Sequence, residues 1–221
     1  MKFSATTVDV VLPCRDEAAA LPGVLAAVPP GCRAVVVDNG STDGSADVAL
    51  RWGAYVVHEP SPGYGAAVHA GLLAATGEIV AVLDADGSLD PAVLPAMVEQ
   101  VASGAADMVV GRRIPVGRGS WPWHARAGNA VLAALLRHQG LPVHDIGPVR
   151  VARRAGLLAL GVRDRRFGYP LELLLRARRA GWRLVEVDVA CRPRAAGSTS
   201  KVSGSVRGTA RAVRDMIGVL R

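Results

Sequence analysis

Short runs of branched apolar residues alternate with alanine- and leucine-rich stretches through the first half of the chain. Val8–Leu12, Ala34–Val37, Tyr55–Val57, Ile79–Leu83 and Asp107–Val110 read as strands. Glu17–Val28, Ser45–Trp52, Gly65–Ala75 and Pro91–Val101 read as the helices between them. The valine and isoleucine runs are nearly continuous, as in strands buried on both faces. Strand and helix in succession predict an α/β fold, with a mostly parallel central sheet, right-handed crossovers and flanking helices. The second half is less regular. Trp123–His138 and Pro170–Ala180 read as helices, Val149–Val151 and Leu184–Val187 as strands. Pro193–Gly204 is a Gly/Ser-rich loop, and a last helix is expected from about Ser205 to Leu220. Neither a repeat nor a long polar linker interrupts the chain, so one domain over residues 1–221 is expected.

In such sheets ligands bind beyond the carboxyl ends of the strands. That puts Pro13–Glu17, Asp38–Asp43 and Asp84–Asp86 on one rim. Asp84 and Asp86 are alternate carboxylates directly after a buried strand, and both can reach one hard cation. Mg²⁺ or Mn²⁺ prefers oxygen ligands and bridges phosphates. Such an ion offsets the charge that develops on a departing nucleoside diphosphate. Asp38 can accept hydrogen bonds from a base or ribose, and Gly40 allows close backbone approach. Ser41 or Asp43 can cap the next helix, which accounts for part of this segment. Gly63-Tyr-Gly65 opens a helix whose N–H groups suit phosphate. It lacks the Gly-x-Gly-x-x-Gly spacing of a dinucleotide site.

Charge divides the chain in two. Residues 1–111 hold 4 basic and 13 acidic side chains; residues 112–221 hold 22 and 6, within a net charge of +7. Arginine outnumbers lysine 24 to 2, a compositional bias that explains much of the basic excess but not its segregation. An acidic half suits a divalent cation. A basic half suits a phosphate-bearing partner, an anionic membrane or nucleic acid. Nucleic acid is disfavoured, because no zinc-finger or RNA-recognition signature is present and an acidic rim without metal repels phosphate. The three cysteines fit no zinc spacing. Met1–Cys14 has one basic residue before Arg15 and an apolar run broken by Asp9, so no signal peptide is expected. The uncharged stretch Pro60–Gly77 carries two prolines and four glycines, so no membrane span is expected there. The expected location is the cytoplasm, with peripheral contact at the inner face of the membrane allowed.

Val11-Leu-Pro-Cys-Arg-Asp-Glu17, Val37-Asp-Asn-Gly-Ser-Thr-Asp43, Gly63-Tyr-Gly-Ala-Ala67 and Leu83-Asp-Ala-Asp86, in that order, resemble glycosyltransferase family 2. The resemblance implies a GT-A fold, a nucleotide-sugar donor and a divalent metal. By it, Pro13, Glu17, Asp38 and Asn39 line the base and ribose site. Asp84 contacts nucleoside and metal, and Asp86 is the principal metal ligand. Arg15, Gly40, Ser41, Asp43, Gly63, Gly65 and Ala85 complete the donor site. Many relatives carry aspartate where this chain has Asn39.

The second half, through Gly111-Arg-Arg113, Asp145-Ile-Gly-Pro-Val-Arg150, Glu172-Leu173 and Arg194 to Ser200-Lys201, is similar to the dolichol-phosphate mannosyltransferase and polyprenyl-phosphate glucosyltransferase group. In that group arginines bind the acceptor phosphate, and Arg112, Arg126 and Arg194, with Ser200 and Lys201, match by position. Arg112 is expected to take part in catalysis with Asp84 and Asp86. Residues 1–113 then form the donor and metal half and residues 114–221 the acceptor half. Relatives that act on sugar hydroxyls carry a Glu-Asp pair as base, where this chain has Tyr169 and Pro170. A hydroxyl acceptor needs a base and an anionic phosphate does not, although Asp145 or Glu172 can substitute. A transferase for small-molecule or protein hydroxyls, and a nucleotidyltransferase, remain alternatives. Val206, Ala210, Val213, Ile217 and Leu220 share one helical face beside Arg207, Arg211 and Arg214. That face suits either an anionic bilayer or packing on the core. Trp121 and Trp123, on either side of Pro122, likewise suit lipid or packing.

Overall fold

The structure, a computed structural model, describes residues 6–117, 119–194, 214–216 and 218–219. One seven-stranded sheet draws strands from both halves of the chain, in the order β3-β2-β1-β4-β6-β5-β7. The strands are β1 (Val8–Cys14), β2 (Cys32–Asp38), β3 (Tyr55–His58), β4 (Ile79–Val82), β5 (Met108–Pro115), β6 (Arg150–Arg153) and β7 (Leu184–Cys191). β1 pairs in parallel with β2 and β4, β2 with β3, and β5 with β7. β6 runs antiparallel between β4 and β5. The apolar runs make the central strands: β4 is buried at all four positions.

The helices are α1 (Leu21–Ala26), α2 (Ser45–Arg51), α3 (Tyr64–Ala74), α4 (Leu94–Ala102), α5 (Trp123–His138), α6 (Arg154–Ala159) and α7 (Tyr169–Arg179). Leu21 of α1, Ala49 of α2 and Met97 of α4 join the core on one face of the sheet. Leu72 of α3, Leu136 of α5, Leu157 of α6 and Leu174 of α7 join it on the other. α1 starts four residues later than the sequence pattern suggests, with Pro22 in its first turn, where the missing N–H costs no helix bond. β5 runs five residues beyond its apolar stretch, because Gly111–Pro115 still pair with β7. α6, which the sequence pattern does not reveal, is a six-residue turn after β6.

The expected face of the last helix, Val206 to Leu220, lies outside the described residues, as do Arg207 and Arg211. Of the residues described there, Met216 and Val219 pack against the second core and Arg214 is exposed. Among the described residues, no helix is long and apolar enough to cross a membrane.

Candidate active site

Topology brings two sets of charges to one rim. β1, β2 and β4 point their carboxyl ends the same way, followed by Glu17, Asn39 and Asp84-Ala-Asp86. β6 runs in the opposite direction, so its first residue, Arg150, arrives at that rim opposite Val82. β5 and β7 end there too, presenting Arg113 and, three residues beyond β7, Arg194. A single cavity is lined on one side by Pro13, Cys14, Arg15, Glu17, Asn39, Gly63, Tyr64 and Asp84–Asp86. Arg113, Ile146, Pro148, Arg150, Phe167, Pro170, Arg194 and Met216 line the other.

Asp86 is only 3% exposed. Its Oδ1 accepts the Ser88 N–H at 2.9 Å. Its Oδ2 faces Arg194 Nη2 at 2.9 Å, and Arg194 Nη1 lies 3.9 Å from Glu17 Oε1. Burial pushes the Asp84 carboxyl up to about 6, with the charge of Asp86 adding to it and Arg194, Arg113 and Arg150 opposing. A guanidinium already sits against one of two crowded carboxylates. The pair therefore suits a hard cation that takes its other ligands from phosphate and water.

A cation at this pair must displace the Asp84 proton at low pH. Mn²⁺ affinity is expected to rise about tenfold per pH unit below pH ~6 and to level off above it. The metal-free protein should behave oppositely. The raised Asp84 value stabilises the fold below the ordinary value of 3.8, and that contribution is lost as pH rises through about 6. Mn²⁺ titrations and melting curves at pH 5 to 8 check both.

Several expected donor-site residues also brace the loops. Asn39 Nδ2 donates to the Glu59 and Ser61 carbonyls, and Asn39 Oδ1 accepts the Gly63 N–H at 2.8 Å. Aspartate could not make the two donations. Ser41 Oγ accepts the Asp16 N–H, and Asp43 Oδ2 accepts the Ala18 N–H. Asp43 Oδ1 also accepts from Ser45, so Asp43 ties the loop after β1 to the start of α2. Asp38 accepts the Ser41 N–H and sits 3.3 Å from His58 Nδ1. Gly40, at φ 80°, makes the left-handed turn between them. Asp38, Gly40, Ser41, Asp43 and Gly65 are not among the cavity-lining residues.

The helix entrance at Gly63–Gly65 corrects an expectation. The Gly65 N–H donates to Arg166 O and the Ala66 N–H to Arg165 O at 2.8 Å, so these amides are not offered to phosphate. The glycines serve close packing. A Cβ on Gly63 would meet Arg165 O at 2.1 Å, and one on Gly65 would meet Asp164 O at 2.7 Å.

The basic side differs from expectation too. Arg112 turns away from the cavity, pairing with Asp188 at 2.7 and 2.8 Å. Arg113 takes its place, since adjacent strand residues point to opposite faces. Arg113 makes a bidentate pair with buried Asp145 and lies 3.9 Å from the Trp121 ring centre. Arg126 lies with Arg112 in a neighbouring groove that also contains Trp121, Trp123 and His144, and Arg113 borders both spaces. Arg194 lines the cavity, while Ser200 and Lys201 lie outside the described residues. Sequence reasoning missed Arg113 and Arg150. The signal for Arg113 was strand alternation; Arg150 stood in a stretch that carries the resemblance, but only the reversed direction of β6 shows that it reaches this rim.

Neither stand-in for a base is poised to act as one. Burial works to raise Asp145, but the hydrogen bonds and charge of Arg113 outweigh it and hold the carboxyl below the usual range. Glu172 is held low as well. Burial opposes, but the N–H groups of Asp164 and Arg163 and the Arg176 side chain prevail. Tyr169 is buried in the core and Pro170 lines the cavity.

A doubly flanked, mostly parallel sheet with an acidic pair at its rim fits the GT-A fold that the resemblance implies. The family model for glycosyl transferase family 2 matches residues 9–157, and the chain belongs to that family. It is 60% identical over 219 residues to an uncharacterized glycosyltransferase of Mycobacterium tuberculosis, covering 99% of this chain and 100% of the relative. It is 33% identical over 190 residues to a dolichyl-phosphate hexose transferase of Haloferax volcanii, covering 84% and 83%. Among solved structures, glucosyl-3-phosphoglycerate synthase from Mycobacterium tuberculosis shares the fold. Its TM-score is 0.76 at 24% identity, covering 98% of this chain and 79% of that one.

Proposed function

We propose that the chain is an inverting hexosyltransferase that moves a hexose from a GDP-mannose- or UDP-glucose-type donor to a polyprenyl or dolichyl phosphate. The observation that carries this reading is the cavity in which Glu17, Asp84 and Asp86 face Arg113, Arg150 and Arg194. The nucleotide would lie over Pro13, Arg15, Glu17 and Asn39. Asp86 and Asp84 would hold Mg²⁺ or Mn²⁺, which when bound offsets charge on the departing diphosphate. The arginines would orient the acceptor phosphate through charge-assisted hydrogen bonds. A phosphate oxygen attacks the anomeric carbon as the bond to the diphosphate breaks, inverting the configuration.

Among the described residues, the acids that line the cavity all belong to the donor side, which favours an acceptor that needs no carboxylate base. An anionic phosphate needs no such help. Ile146, Pro148, Phe167, Pro170 and Met216 give the acceptor side an apolar wall, which suits a lipid phosphate. The dolichyl-phosphate hexose transferase of Haloferax volcanii supports the same acceptor class. Peripheral membrane contact has support in α5, which carries no acidic residue and exposes Trp123 (80%), Val131 and Leu135.

The test is incubation with radiolabelled GDP-mannose and UDP-glucose, Mn²⁺ and a short prenyl phosphate. Label is expected to partition into organic solvent with release of nucleoside diphosphate. Water-soluble glycoside product would indicate a hydroxyl acceptor, and release of hexose 1-phosphate in place of nucleoside diphosphate a nucleotidyltransferase.

A further inference from the structure

We infer that Arg194 is an internal counter-cation for Asp86 that the divalent ion must displace, and that this displacement releases the guanidinium to the acceptor phosphate. The inference rests on the metal reading proposed above. Asp86 Oδ1 is taken by the Ser88 N–H. Oδ2, the oxygen that takes no bond from its own loop, is the one that faces Arg194 Nη2, at 2.9 Å. A guanidinium and a divalent cation compete for that oxygen, because their like charges repel at such range.

The three arginines on the acceptor side of the cavity differ in what holds them. Arg113 is locked to Asp145 by two side-chain hydrogen bonds. Arg150 is buried and donates to the Ile146 carbonyl. Among the described residues, the ion pairs of Arg194 are, by contrast, with Asp86 and Glu17, both on the donor side. Its side chain is 34% exposed, so it is less enclosed than buried Arg150. Arg194 is thus the exchangeable member of the set. With the ion absent, it neutralises the acidic pair and is withheld from the acceptor side. With the ion present, the cavity gains a cation free for a phosphate. Metal and acceptor phosphate then bind with positive coupling, which must be reciprocal.

The experiment titrates Mn²⁺ calorimetrically into the full chain without nucleotide, for wild type, Arg194→Ala, Arg194→Lys and Asp86→Ala. Melting curves confirm that each is folded. Loss of a competing, partly exposed ion pair should tighten Mn²⁺ binding by roughly three- to tenfold in Arg194→Ala. Arg194→Lys should fall between that variant and wild type, and Asp86→Ala should lose the site. A short prenyl phosphate should bind wild type more tightly once Mn²⁺ is saturating, and Arg194→Ala should show less of that enhancement. Unchanged or weaker Mn²⁺ binding in Arg194→Ala, with Asp86→Ala still losing the site, overturns the inference and spares the metal reading. Mn²⁺ binding that ignores Asp86→Ala removes both.

Discussion

Asp86→Ala is expected to lower kcat/KM for sugar transfer by about 10³-fold or more, since on the proposed reading it removes the principal ligand of an ion that would stabilise the leaving diphosphate. That factor corresponds to about 4 kcal/mol of transition-state stabilisation. The structural cost should be small by comparison. Asp86 gives up one hydrogen bond from Ser88 and one ion pair with Arg194, while Asp84 is relieved of a neighbouring negative charge. Asp86→Asn keeps an acceptor for Ser88 and isolates the effect on the ion. Transfer rates and melting points of the two variants against Mn²⁺ concentration provide the check. Wild-type rates in Asp86→Ala at every concentration would defeat the assignment.

Arg113→Ala should be the most destabilising single change near the site. It leaves Asp145, 1% exposed, as a buried carboxylate without its guanidinium. Breaking such a pair from one side costs about 3–5 kcal/mol, which for a chain of this size lowers the melting point by roughly 6–20 °C. The pH dependence identifies the cause. In wild type Asp145 is held below the usual carboxylate range, so its contribution is present above the unfolded value and lost as pH falls. Without the Arg113 guanidinium, burial of Asp145 is opposed by the backbone N–H groups and the more distant Arg112, and the acid is more readily protonated. The deficit of the variant should therefore be greatest at neutral pH and narrow as pH falls through the carboxylate range. Paired melting curves from pH 4 to 8 test this; a deficit independent of pH would mean that Arg113 matters through packing on Trp121 instead.

The roles of the loop residues show where sequence reasoning reached its limit. Asp38, Ser41 and Asp43 stand directly after a strand, where ligand contacts and turn contacts require the same residue types. Their carboxylates and hydroxyl are used by the N–H groups of Ser41, Asp16 and Ala18, two of which lie more than 20 residues away in the chain. Gly63 and Gly65 were equally ambiguous. A glycine at a helix entrance suits a phosphate or a neighbouring backbone, and here the backbone of 164–166 fills the space.

The sequence by itself determined the α/β class, the parallel core and the position of Asp84 and Asp86. Each of these follows from local order: a continuous apolar run makes a buried strand, and the polar residues after it fall at the strand's end. Its separation of acidic and basic halves also announced two kinds of site. Only the tertiary structure decided which basic residues meet the acids. That outcome depends on β6 entering the sheet antiparallel, which delivers Arg150 by its first residue, and on the pairing of β5 with β7, which fixes the face that Arg113 takes. Strand direction and register are set by contacts between segments far apart in the chain, so no local pattern of residues contains them.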